Sequence, residues 1–97
     1  MKNMYILIRE LKYYELDKEK FPFLGNFSYT IKGVFDDIEL LRSSMVKFLN
    51  EDKAIVGEDC ITQEGISEMW YKIQDDITIH LNYKIEVINK LNCEDES

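Results

Sequence analysis

The residues able to do covalent or metal chemistry are few and poorly spaced for it. There are two cysteines, Cys60 and Cys93, and one histidine, His80. A zinc site needs four ligands at close, paired spacing, and the chain has neither C-x-x-C nor H-x-x-x-H. Cys60 and His80 have no spacing that would make them a nucleophile and its base. No G-x-x-x-x-G-K-[ST] or G-x-G-x-x-G stretch is present to cradle phosphate. Carboxylate pairs suited to acid–base work do occur, at Asp36/Asp37, Glu58/Asp59 and Asp75/Asp76. Each pair also stands where a helix cap, a loop or a turn would place one. The expectation is therefore a protein with no catalytic residues, no metal and no cofactor.

What remains is charge and aromatic surface. Residues 1–50 carry eight Lys/Arg against seven Asp/Glu, whereas residues 51–97 carry four Lys against twelve Asp/Glu. The whole net charge of −7 thus lies in the second half. Such a balance argues against direct contact with nucleic acid, which needs a basic face. It favours a basic protein partner, drawn in by the field of the acidic half. Trp70 is the single tryptophan, and it sits in a strand pattern beside acidic loops. Tryptophan and tyrosine are over-represented among interface hot spots. The candidate binding residues are Glu58, Asp59, Glu64, Glu68, Trp70, Asp75 and Asp76. Solubility alone is the plainer account of the acidity.

These side chains must be positioned by a small set of elements. Residues 36–50 (DDIELLRSSMVKFLN) read as one amphipathic helix. Asp36 serves as N-cap with Glu39 completing a capping box, and Asn50 is the stop. Ile38, Leu41, Met45, Phe48 and Leu49 form its apolar stripe. At roughly 100° per residue, Leu40 falls about 130° from the centre of that stripe, so it is either an ordinary surface leucine or an eighth contact residue. Residues 3–11 read as a central strand, apolar on both faces, and 12–20 as a loop or frayed strand end. Residues 21–26 (FPFLGN) read as a turn whose Phe21, Phe23 and Leu24 lid the core or form an exposed patch for a partner; this loop or a partner would cover Trp70. In 27–35, Phe27, Tyr29, Ile31 and Phe35 share the buried face, and Gly33 marks a bulge or a close contact with the helix. Residues 54–56 make at most an edge strand, and 57–65 an exposed loop. Strand 66–73 puts Met69, Tyr71 and Ile73 inward and Trp70 outward, and 74–76 is a turn. Residues 77–87 alternate strictly, with a helix over 77–91 as the rival reading.

The sum is an α+β class fold: an antiparallel sheet of four to five strands with one helix packed on one face, in the order β-β-α-β-β. Residues 1–97 read as a single domain with 89–97 as a frayed tail. No apolar run approaches a membrane span, and the short run at 4–8 does not make a signal peptide, so a cytoplasmic location is expected and the cysteines are expected as free thiols.

The opening YILIRE, the intervening helix and the late WYKI strand resemble small strand–helix–strand proteins of phages and prophages. That resemblance implies an acidic inhibitor of the anti-restriction or anti-CRISPR kind, which occupies a basic nucleic-acid-binding site on a larger host defence protein. An immunity or antitoxin protein against a basic toxin has the same electrostatics. A small-ligand-binding protein that sequesters nucleotides is the third reading. Nothing in the sequence speaks to the oligomeric state.

Overall fold

A computed structural model describes residues 3–16 and 22–89. Its elements are β1 (Asn3–Leu16), β2 (Pro22–Phe35), α1 (Ile38–Val56), a 3₁₀ turn (Glu58–Cys60), β3 (Ile61–Glu64), β4 (Glu68–Gln74) and β5 (Ile77–Asn89). The strands form one antiparallel sheet in the order β2-β1-β5-β4-β3, and α1 packs on one face of it. This is the α+β arrangement that the strand and helix periodicities call for. The alternation of 77–87 resolves as strand, and β1 is an interior strand, paired on both sides by β2 and β5, as its two apolar faces suit. No helix among the described residues is long and apolar enough to cross a membrane.

The core is the strip beneath the helix. Leu41, Met45 and Leu49 of α1 meet Leu7 of β1, Met69 of β4, and Leu81 and Tyr83 of β5, all buried. Ile38 and Phe48 complete the stripe as half-buried neighbours. Strand pairing brings Arg9 opposite Tyr83 and Leu11 opposite Leu81, so odd-numbered residues of β1 and β5 share the helix face.

Several boundaries differ from the sequence reading. The N-cap is Asp37, not Asp36: Asp37 is extended (φ −125, ψ 116) and its Oδ1 accepts the Glu39 N–H at 2.9 Å. Glu39 makes no capping box and instead accepts from Arg42 at 3.4 Å. The helix does not stop at Asn50. It runs to Val56 because Glu51–Ala54 are compatible with helix and Asp52 faces inward to a partner. It ends where Gly57 (φ 91) donates its N–H to the Lys53 carbonyl at 2.9 Å, a left-handed conformation that glycine adopts freely. Residues 54–56 are therefore helix, and 57–65 hold the 3₁₀ turn and β3 rather than a loop. Residues 12–16 extend β1. The expected turn at 21–26 is mostly strand, with Pro22 at the first position of an edge strand, where a missing donor is tolerated. Ile66 precedes β4 and is exposed, and the Lys72/Gln74 bulge leaves Ile73 exposed rather than inward. Residue 21 and the tail from 90 lie outside the described residues, as do the side chains of Phe23 and Leu24 expected to lid the core or Trp70.

The largest correction concerns β2. Two bulges interrupt its pairing with β1. Tyr13 pairs Asn26 while Tyr14 pairs Leu24, and Leu7 pairs Gly33 while Ile8 pairs Ile31. The extra residues are thus Gly25 and Lys32. An inserted residue reverses which face the following side chains take. Phe35, opposite Tyr5, lies on the helix face and packs on the core. Phe27, Tyr29 and Ile31, opposite Lys12, Glu10 and Ile8, lie on the other face. They are exposed, not buried. Gly33 stands at the bulge as expected, but its close neighbour is Phe35: a Cβ there would lie 3.0 Å from the Phe35 ring.

One polar cluster ties the second half of α1 to the sheet. Asp52 accepts from Arg9 Nε at 3.2 Å and Nη2 at 3.0 Å, and from the Tyr83 hydroxyl at 2.5 Å. The carboxylate side chain is only 12% exposed. Burial works against the Arg9 charge, but its bonds and attraction to Asp52 outweigh it and hold the guanidinium pKa above its usual value. Burial, then the bond to Asp52 and that residue's charge, raise the pKa of Tyr83. Burial first, then Tyr13, raises Tyr71 as well.

Asp52→Ala should therefore cost about 2 kcal/mol, since it strands a half-buried arginine and a buried hydroxyl while solvent reaches part of the site. Thermal unfolding should show this as a melting temperature lower by roughly 10 °C. Tyr83 is neutral in the fold and its pKa is raised. Its stabilising contribution is then complete below the ordinary tyrosine value of about 10 and is lost as pH climbs through the folded-state value. Ultraviolet titration of tyrosine ionisation should show Tyr71 and Tyr83 ionising above the ordinary tyrosine value of about 10, with that delay abolished on unfolding in denaturant.

Candidate binding face

The sheet face away from α1 has no covering layer among the described residues. Even-numbered positions of β1 and β5 and alternate positions of β4 supply it: Tyr14, His80, Thr78, Glu68, Trp70 and Lys72 in one half. Beyond the first β2 bulge it continues into Phe27, Tyr29 and Ile31. Trp70 stands at the centre of the first group. Its ring stacks on the His80 imidazole at 4.1 Å and 12°, and against Tyr14 at 5.6 Å and 30°. Trp70 Nε1 donates to Glu68 Oε1 at 3.3 Å, and His80 Nε2 lies 2.9 Å from the same oxygen. With Nε2 as the donor, one carboxylate oxygen fixes both rings, and the contact is an ion pair whenever the imidazole is protonated. The outward orientation of Trp70 is therefore correct, and its cover comes from Tyr14 and His80. Stacked aromatic pairs of this kind add about 1 kcal/mol beyond burial.

The second group is apolar and open. Phe27 is 43% exposed, Tyr29 64%, Ile31 58% and Val34 56%. Lys12 lies over the Phe27 ring at 5.9 Å, and Phe27 and Tyr29 form a tilted pair at 6.2 Å. On the same face, Asn82 donates to Glu10 at 3.3 Å, and Lys84 pairs with Glu86 at 2.9 Å. The face is thus aromatic and aliphatic with balanced charge, unlike the chain as a whole. Contiguous exposed apolar surface of this kind marks interaction sites.

The acidic residues singled out from the sequence fall in separate places. Glu58 and Asp59 are exposed in the 3₁₀ turn. Glu64, on the β3 edge, pairs with Lys53 of α1 at 2.9 Å. With Lys53 and Ile61, Glu58 and Glu64 line a shallow hollow of about 330 Å³. Glu68 belongs to the tryptophan cluster. Asp75 and Asp76 form the β4–β5 turn, a strand's length away. Leu40 is exposed on α1, as its angular position implies, and on the side opposite the sheet. The structure joins only Glu68 and Trp70 directly. Tyr14 gives no sequence signal because its stretch, residues 12–20, is rich in charge, and the β2 aromatics read as core because a bulge leaves no mark on a period-two pattern. Gly25 and the Lys32–Gly33 pair were the available signals. No family model matches this chain, and neither does any curated protein or solved structure.

Because Trp70 is the one tryptophan, its emission reports on the cluster. Tyr14→Ala and His80→Ala should each move its fluorescence to longer wavelength by exposing the indole to water, while circular dichroism stays native. Unchanged emission in both variants would contradict the stacked arrangement.

Proposed function

We propose that the protein is a non-enzymatic binding module that docks on a larger basic protein through its open sheet face. The supporting observation is the uncovered aromatic and aliphatic surface that runs from Trp70 and Tyr14 across to Tyr29 and Ile31. A sheet normally buries at least one face and solvates the other with polar side chains, whereas here the outer face keeps large apolar groups. The net charge of −7 adds long-range attraction. Carboxylates at Glu58, Asp59, Asp75 and Asp76 lie in the turns beside β3 and β4 rather than within the face, an arrangement that speeds encounter with a basic partner more than it tightens the complex. Covering a basic nucleic-acid-binding surface of a host defence protein, as an inhibitor does, is the use that this combination favours.

Capture from a host lysate on immobilised protein, followed by titration of the recovered partner, tests the reading. The double variant Tyr14→Ala/Trp70→Ala should weaken binding by ~30-fold or more, as central aromatic anchors do. Asp75→Asn/Asp76→Asn should mainly slow association and flatten its salt dependence. Binding that survives the aromatic substitutions but is lost on Leu40→Lys would place the contact on the helix and overturn the proposal.

A further inference from the structure

The outer edge of β2 carries a second property, independent of any partner for the open face. β2 is a 14-residue strand at the margin of the sheet, and among the described residues no strand pairs with its outer side; within it the Phe27 N–H donates to Asn26 Oδ1 at 2.8 Å, a bond that a pairing strand would have to replace. Exposed edges are normally blunted by charge, proline, shortness or bulges, and β2 has bulges only near its two ends. The opposite edge, β3, follows that rule: it has four residues and a Lys53–Glu64 ion pair. β2 does not. Lys32 is its one charged residue and Pro22 its one proline, at the very start. Its two bulges, at Gly25 and Lys32, bracket a regular, exposed segment of alternating apolar and hydroxyl residues, Phe27, Ser28, Tyr29, Thr30 and Ile31.

We infer that this segment pairs antiparallel with the same segment of a second copy, across a two-fold axis at Tyr29. Three observations select a second copy as the occupant. First, the register is self-complementary. Directly opposed residues of an antiparallel pair share a face, and centring on Tyr29 sets Phe27 against Ile31 of the partner subunit and Ser28 against Thr30 of the partner subunit. Apolar groups then meet on the open face and hydroxyls on the helix face. Second, the same register sets Lys32 against Asn26 of the partner subunit, so no like charges oppose. Third, the excess of carboxylates lies in residues 51–97, and β2 carries none at all, so it is a long margin on which two copies approach without setting like charges together. A two-fold contact of this kind closes on itself and builds no fibre. The product is one ten-stranded sheet whose open faces lie flush.

The contact is of modest size, near the lower limit of roughly 1,000 Å² for a specific interface. Sedimentation equilibrium from ~10 to ~500 µM covers the range in which such a contact associates. The expected result is a mass rising from 11.6 kDa toward twice that value. Tyr29→Lys, which sets two ammonium groups face to face, should remain at monomer mass throughout, with a native circular dichroism spectrum. Ile66→Lys, at an 88% exposed site off this strand, should dimerise like the parent. In a Cys60→Ser/Cys93→Ser background, Tyr29→Cys should form an intermolecular disulfide under mild oxidation, since directly opposed Cβ atoms lie about 5 Å apart. Ser28→Cys, opposed to Thr30 of the partner subunit, should not. A parent chain that is monomeric across the whole range overturns the proposal. So does a dimer that tolerates Tyr29→Lys, or one that cross-links equally through Ser28→Cys.

Discussion

One helix cannot cover this sheet, and most of what is unusual in the molecule follows from that mismatch. A 19-residue helix masks a strip about 28 Å long and about 10 Å wide. The sheet has five strands spaced by about 4.8 Å, and its 14-residue strands run for about 45 Å. The molecule is accordingly flat, with extents of 56 × 27 × 16 Å, and its radius of gyration of 16.7 Å exceeds the roughly 12.5 Å of a compact chain of this length. Sixteen ångströms is the thickness of two layers. A third layer would complete a globular core, and its place is taken by exposed side chains.

Within the covered strip, apolar packing alone would leave the helix free to slide along its stripe, since leucine and methionine make few directional demands. The Arg9–Asp52–Tyr83 cluster removes that freedom. Its bonds have fixed lengths and directions, and they tie the second half of the helix to β1 and β5 at one position. This is the stretch that follows Asn50, where the local signals for ending the helix are strongest. Tertiary contact from Asp52 outweighs the preference of Asn50 to stop, and Gly57 supplies the true end.

The sequence was most readable where period and burial agree. The stripe Leu41, Met45 and Leu49 and the alternation of Ile79, Leu81 and Tyr83 are direct consequences of facing a core, so the class and the packed face could be inferred from them. It was least readable where a local irregularity changes the meaning of a regular pattern. Phe27, Tyr29, Ile31 and Phe35 keep perfect alternation along the chain, yet the residue inserted at Lys32 divides them between two faces. Strand length was hidden in the same way, because Lys12, Tyr13, Tyr14 and Glu15 look like solvated loop when nothing shows that a long hairpin carries them. For the binding face, Trp70 was visible through its residue type. Tyr14 and His80 were not, since their role depends on lying across strands that only the sheet order brings together.

That order has a temporal side. The strand in the middle of the sheet, β5, is the last of the five along the chain, and it separates β1 from β4. During synthesis the β1–β2 hairpin, the helix and the β3–β4 hairpin all leave the ribosome before the strand that unites them. Until then the inner edges of β1 and β4 are both unpaired, and the apolar stripe of the helix has only half of its floor. Closing contacts such as Asn3 with Asn89 span nearly the whole chain, and long loops of this kind slow folding toward the millisecond-to-second range typical of β-rich domains. The nascent chain therefore spends its most exposed interval waiting for residues 77–89, and a truncation within them removes the keystone of the sheet rather than its border.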